Sequence, residues 1–270
     1  MHSKIPKFIF LLLSVFFIST LSYAYDGLLF KPLTASTFEP RIGGSYQFGY
    51  DKLRLDIGSS VDLTDFKLSD KNETRIGADF FTYTRLRSVG RFKFPVETAD
   101  YFFGINSSTK GECCGLNYSG RFRLAHISSH VVDGLAHDTV LTKKPFVYSR
   151  EFVDITGAIN WDNFRIYAGL WGIFSVQPDN NNPVIPELGF DYNYPITDWL
   201  NANIGYDFKL GGYGNVYSGI SSAECGATLL TSKDREVWLG ALMYDGYSIH
   251  GMFYDKRDSY LALGFRVIFY

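Results

Sequence analysis

The chain has 270 residues with 26 basic and 28 acidic side chains, and a net charge of −2 offers no basic face for nucleic acid. Aromatic residues make up 17% and there are 26 glycines, yet mean hydropathy is only −0.04, the average produced when apolar residues alternate with polar ones. After residue 24 no stretch approaches the roughly 20 apolar residues of a membrane helix, which excludes a helical membrane protein.

At the start of the chain, Lys4 and Lys7 precede an apolar run from Phe8 to Phe17 that extends to Leu21. Ser22-Tyr23-Ala24 then places small residues at both positions read by a signal peptidase. This predicts a signal peptide over 1–24, a lead segment over 25–40 lying in the periplasm or inside the fold, and one domain over 41–270, since no linker or composition break divides the remainder.

Alternating segments bounded by turn residues predict about twelve strands, near 41–49, 52–63, 73–87, 96–106, 117–130, 146–160, 164–175, 184–194, 199–210, 217–230, 236–244 and 259–269. The expected fold class is all-β: a transmembrane antiparallel up-and-down β-barrel in the bacterial outer membrane. An even strand number puts both termini in the periplasm, with short turns at 160–163 and 195–198 on that side and the stretches 131–145, 176–183 and 245–257 outside. Two stretches depart from the rule: the outer connection at Tyr50-Asp51 is very short, and the periplasmic stretch 107–116 is long.

On the third predicted strand, Arg75, Asp79, Arg85 and Arg87 share the parity opposite Ile76, Ala78 and Phe80 and so face the lumen. Two readings fit: paired charges that fill the interior, or, with Arg121 and Arg123, the lining of a narrow channel for small polar solutes. Cys113 and Cys114 are adjacent and Cys225 is remote, a pattern of unpaired thiols and not of a disulfide scaffold.

The fifth strand sets Tyr118, Gly120, Phe122 and Leu124 toward lipid and Ser119, Arg121, Arg123 and Ala125 toward the lumen. That parity puts His126, Ser128 and His130 on the lipid side, near the outer leaflet. On the sixth strand Val153, Ile155, Gly157 and Ile159 face lipid, with Ser149 and Glu151 on the same face. Pairing Leu124 with Val153 and Phe122 with Ile155 matches apolar to apolar, and the same register sets His126 opposite Glu151 and Ser128 opposite Ser149. Ser128 as nucleophile, His126 as its base and Glu151 as the group that orients the imidazole are the set needed for acyl transfer, with lipid esters within reach. No oxyanion hole is legible. The set requires no cofactor and no metal; His130, Asp133 and His137 in the next loop have only loose metal-ligand spacing. The plainer alternative is an interfacial patch in which Glu151 binds an arginine or a divalent ion bridging lipopolysaccharide phosphates, and a single bulge between Leu124 and His126 would turn all three residues inward.

A His-x-Ser pair on one strand with an acidic or amide residue on the next resembles the outer-membrane acyl hydrolases, lipid A deacylases and outer-membrane phospholipases A among them. The resemblance covers His126, Ser128 and Glu151 and implies catalysis on lipid of the outer leaflet. A broader set of blocks resembles the barrel family called domain of unknown function 1207: Leu29-Phe30-Lys31-Pro32-Leu33, Arg121 to His130, Ser149-x-Glu151, and Tyr244-Asp245-Gly246 through Gly251, Phe253, Tyr254 and Arg257. That resemblance implies a barrel and no established activity. Where its pattern leads one to expect Gly-Asp-Glu after the second histidine, this chain has Val132-Asp133-Gly134.

The last strand alternates Leu261, Leu263, Phe265, Val267 and Phe269 with Ala262, Gly264, Arg266 and Ile268. Outer-membrane barrels end in such strands, which implies the barrel assembly machinery as a partner, although Tyr270 adds a residue beyond the expected final Phe269. The remaining expected partners are outer-membrane lipid or lipopolysaccharide. A third functional reading is a surface-contact barrel whose outer loop 245–257, with Tyr247, His250 and Tyr254, meets them without catalysis.

Overall fold

A computed structural model describes residues 27–67, 71–137, 140–179, 181–214, 216–232 and 235–269. The expected signal peptide over 1–24 and Tyr270 lie outside the described residues. Strands in chain order are β1 (Ile42–Gln47), β2 (Lys52–Asp65), β3 (Asn72–Arg87), β4 (Val96–Cys113), β5 (Leu116–Val131), β6 (Ala136–His137), β7 (Val140–Leu141), β8 (Tyr148–Trp161), β9 (Phe164–Gln177), β10 (Val184–Thr197), β11 (Leu200–Tyr213), β12 (Val216–Ser232), β13 (Arg235–Tyr247) and β14 (Arg257–Phe269).

All but β6 and β7 close into one antiparallel barrel of twelve strands, in which each strand neighbours the next in sequence and β1 pairs with β14. The pair β6 and β7 is a small hairpin within the β5–β8 connection. Period-two alternation dictates the closure. On β14, Leu261, Leu263 and Phe265 point outward while Ala262 and Arg266 are buried, and the same division runs around the wall. Exposed Ile57, Ile105, Leu124, Ile155, Leu170, Leu188 and Leu239 make the apolar band, with exposed Trp161, Tyr192, Tyr194 and Trp199 as an aromatic rim beside the tight turns on the terminal side. This is an outer-membrane barrel.

Strand ends differ from the sequence reading at one informative place. The stretch 107–116 is no long periplasmic connection: β4 continues to Cys113 and β5 begins at Leu116, leaving a two-residue turn. Its residues are polar because the ladder extends past the lipid, where alternation with apolar residues is no longer required.

The lumen is filled in layers. The lead runs up the interior, burying Phe30, Leu33, Ser36 and Glu39. Being irregular, it leaves backbone carbonyls that need donors, and wall arginines supply them: Arg165 to Lys31 and Pro32, Arg266 to Thr34, Arg54 to Thr37 and Arg123 to Phe38. The arginines that suggested a channel lining are paired with carboxylates, and Asp79 is held by a hydroxyl. Arg75 meets Asp62 and Glu73, Arg85 and Arg87 meet Glu97, Arg121 meets Glu39, Arg123 meets Asp154, and Asp79 accepts from Ser60.

Above that layer lies a cluster that includes Phe81, Tyr83, Phe102, Phe152 and Trp171, with the Phe152 and Trp171 rings stacked at 4.6 Å. The loop between β13 and β14 turns inward onto it. His250 Nδ1 donates to Asp100 Oδ2 at 2.8 Å, the Gly251 amide donates to the other Asp100 oxygen, and Met252 is buried. Of the three loop residues expected to reach outward, His250 is therefore inside and Tyr254 packs partly against the core. Toward the terminal side a cavity of about 890 Å³ remains. With lead and loop both inside, planar bilayers holding the protein are expected to show no sustained open-channel current. Excising residues 28–40 is expected to produce one, provided gel mobility before and after heating verifies a folded barrel.

Candidate functional site

The paired registers of β5 with β4 and with β8 run unbroken through Leu124 and His126, so no bulge inverts the face there. His126 stands opposite Glu151 and Ser128 opposite Ser149, as the apolar matching requires. Parity is preserved too: Arg121, Arg123, Ala125, Ile127 and Ser129 are buried, whereas Phe122 and Leu124 are exposed and His126 and Ser128 half-buried on the outer face.

The contact that defines the site is His126 Nδ1 to Glu151 Oε1, 2.8 Å, with 39% and 29% of the two side chains exposed. The carboxylate accepts, so Nδ1 carries the hydrogen and Nε2 is the basic nitrogen, on the tautomer a general base requires. Ser128 is two residues along β5 on that face, flanked in register by Tyr101 of β4 and Ser149 of β8. Phe103 of β4 is His126's neighbour, with ring centroids 6.4 Å apart, and Tyr101 packs edge-on against His130 at 5.7 Å.

A feature outside the sequence reading is the bulge in β9. Glu151 pairs with Ser175, but the adjacent Phe152 pairs with Ile173, leaving Phe174 as the extra residue. Odd positions of β9 up to Ile173 point inward; past the bulge Ser175 is exposed on the outer face beside Glu151. Nothing in the sequence of β9 marks the bulge, since adjacent apolar pairs such as Leu170-Trp171 also occur where the register is unbroken. Ser149 and Ser175 also line a groove of about 600 Å³ with Gln177, Asp179 and Asn181 at the outer rim. Apolar Leu124, Val153 and Ile155 lie on the membrane side of the same face, so polar and apolar surfaces adjoin at the level of His126 and Ser128.

No group of three or more histidine, cysteine or acidic side chains is arranged to hold a metal among the described residues, so His130, Asp133 and His137 are not brought together. Asp133 begins a single turn of 3-10 helix over Asp133–Leu135, and His137 lies on β6.

The model of the family described as Protein of unknown function (DUF1207) matches residues 23–269. No curated protein sequence matches the chain. Among solved structures, outer membrane phospholipase A from Escherichia coli superposes with a TM-score of 0.56 at 13% identity, covering 87% of this chain and 94% of that one. The Salmonella typhi outer membrane phospholipase dimer with bound calcium gives 0.57 at 12% identity, covering 90% and 94%. The transport unit of the Escherichia coli autotransporter AIDA-I gives 0.52 at 10% identity, covering 94% and 97%. At these identities the likeness is one of fold.

Proposed function

The chain belongs to the family described as Protein of unknown function (DUF1207), a membership that names no activity, and from the site itself we propose that it hydrolyses acyl ester bonds of lipids in the outer leaflet. The observation that carries the reading is the 2.8 Å His126–Glu151 pair on the lipid-facing side, with Ser128 on the same strand face. Ser128 Oγ attacks the ester carbonyl carbon and gives its proton to His126 Nε2. The imidazolium, held by the Glu151 carboxylate, passes that proton to the departing alkoxide as the carbon–oxygen bond breaks. Water then attacks the acyl-serine through the same base and releases fatty acid.

Depth in the membrane fits the chemistry. A lipid ester sits at the boundary between acyl chains and headgroups, and the set sits where the apolar face of β5 and β8 gives way to the polar groove. Acyl chains would lie along Leu124, Val153 and Ile155, the headgroup toward Ser175, Gln177 and Asn181. The solved barrels resembling this chain include proteins named as phospholipases, which supports the same substrate class.

The test is mass spectrometry of fatty acid released from vesicles of phosphatidylethanolamine, phosphatidylglycerol and lipopolysaccharide carrying the purified barrel. Release is expected from the parent protein and not from Ser128→Ala folded to the same extent. Equal release from both, or none from the parent, would remove the proposal.

A further inference from the structure

Where β4 returns into β5, on the side of the barrel that carries both chain ends, the turn residues are Cys114 and Gly115, flanked by the paired Cys113 and Leu116. Both turn residues have positive φ, 55° and 77°, the geometry of a two-residue type I′ hairpin, for which asparagine or aspartate before glycine is the relaxed choice. Cysteine at the first of these positions has no conformational advantage. It is also exposed, as is Cys113, and an exposed free thiol is a liability that surfaces ordinarily avoid.

What the two residues provide together is a pair of sulfurs 3.6 Å apart at the tip of a hairpin. Two thiolates on one tetrahedral cation with bonds of about 2.3 Å have sulfurs roughly 3.8 Å apart, so the observed spacing is a chelating bite. A disulfide would need the sulfurs at about 2.05 Å. Soft sulfur selects soft cations such as copper(I), zinc or cadmium over magnesium and calcium.

We propose that Cys113 and Cys114 form a two-thiolate site for thiophilic metal cations on the periplasmic tip of the barrel. On binding, each thiol releases its proton to solvent and two sulfur–metal bonds form without transfer of electrons. Water or chloride completes the coordination, since the described residues bring no third histidine, cysteine or acidic ligand to the pair. The site is independent of the outer-face set on β5 and β8, and no membrane lipid takes part in it. Cys225 faces outward from β12, away from the hairpin tip, and serves as an internal control.

The experiment uses the full barrel in detergent, reduced with a thiol-free phosphine and titrated anaerobically with cadmium, following the ultraviolet thiolate-to-cadmium charge-transfer band. One equivalent is expected for the parent and for Cys225→Ser, with affinity at least tenfold weaker in Cys113→Ser and in Cys114→Asn. The asparagine variant matters because it suits the positive φ, so its barrel should fold at least as readily as the parent. In parallel, one equivalent of a trivalent arsenical should lower titratable thiols from three to one. A cadmium band unchanged in Cys113→Ser or Cys114→Asn, no band in the reduced parent, or an arsenical that leaves all three thiols titratable would each overturn the site.

Discussion

Ser128→Ala and His126→Ala are each expected to lower kcat/KM for lipid ester hydrolysis by about 10³-fold or more, and Glu151→Gln by about 10- to 100-fold. The order follows from what each group does. In the proposed mechanism serine and histidine take part in bond making and proton transfer, so nothing would remain to replace them. In that mechanism Glu151 would act through the imidazole it contacts: glutamine at that position would still present an oxygen to Nδ1–H and keep the ring oriented, but would not stabilise a charged imidazolium in the transition state. Glu151→Leu removes both effects and should fall between Glu151→Gln and His126→Ala. Because the residues act as a unit, the double variant Ser128→Ala with His126→Ala should lose no more than the worse single change. Steady-state rates in mixed micelles decide this. A double variant whose loss equals the product of the two single losses would point to separate structural damage.

The barrel wall was legible because a single physical rule, alternation between lipid and lumen, acts on every strand. The register of β5 against β8 followed from matching Leu124 with Val153 and Phe122 with Ile155, and the opposition of His126 to Glu151 came with it. Paired interior charges and an inward lead were among the readings of the sequence, but which groups meet inside the lumen was not legible, because no period governs it. Glu39 meets Arg121 across 82 residues of chain, and wall arginines bond to carbonyls of the lead, an atom type that every residue possesses. The β13–β14 loop gave the same difficulty: Tyr247, His250 and Tyr254 read as outward-facing until Asp100 of β4 supplies His250 with a partner in the lumen. Ser175 is hidden in the sequence because one extra residue, Phe174, reverses the parity of everything after it. The strand ends were misplaced at 107–116, where β4 leaves the lipid and the apolar half of the pattern ends while hydrogen bonding does not.

Asp154→Ala is expected to destabilise the barrel by about 3–5 kcal/mol, the usual cost of leaving a buried charge without its partner. Arg123 bonds to Asp154 through Nε at 2.8 Å and Nη2 at 2.6 Å, and Arg121 approaches it at 3.7 Å. Glu39 bonds to Arg121 at 2.5 and 2.8 Å and lies 3.4 Å from Arg123. These two guanidiniums and two carboxylates neutralise one another inside the barrel with almost no solvent contact, so deleting one carboxylate leaves two cations with Glu39 as their one directly bonded carboxylate among the described residues. Thr156 also loses its acceptor, Asp154 Oδ1 at 2.8 Å. Replacing both partners by apolar residues, Arg123→Met with Asp154→Leu, should cost less than Asp154→Ala, because no uncompensated charge then stays behind. Urea titration in lipid vesicles, read by tryptophan fluorescence, measures both variants. A loss below about 1 kcal/mol for Asp154→Ala would show that water or rearrangement of the lead screens the site. The same strand pair carries Arg123 and Asp154 on its inner face and His126 and Glu151 on its outer face. If the proposed hydrolysis holds, fatty acid release per folded Asp154→Ala barrel reports whether the interior charge network also holds the His126–Glu151 geometry: an unchanged rate means the β5–β8 backbone ladder alone is sufficient.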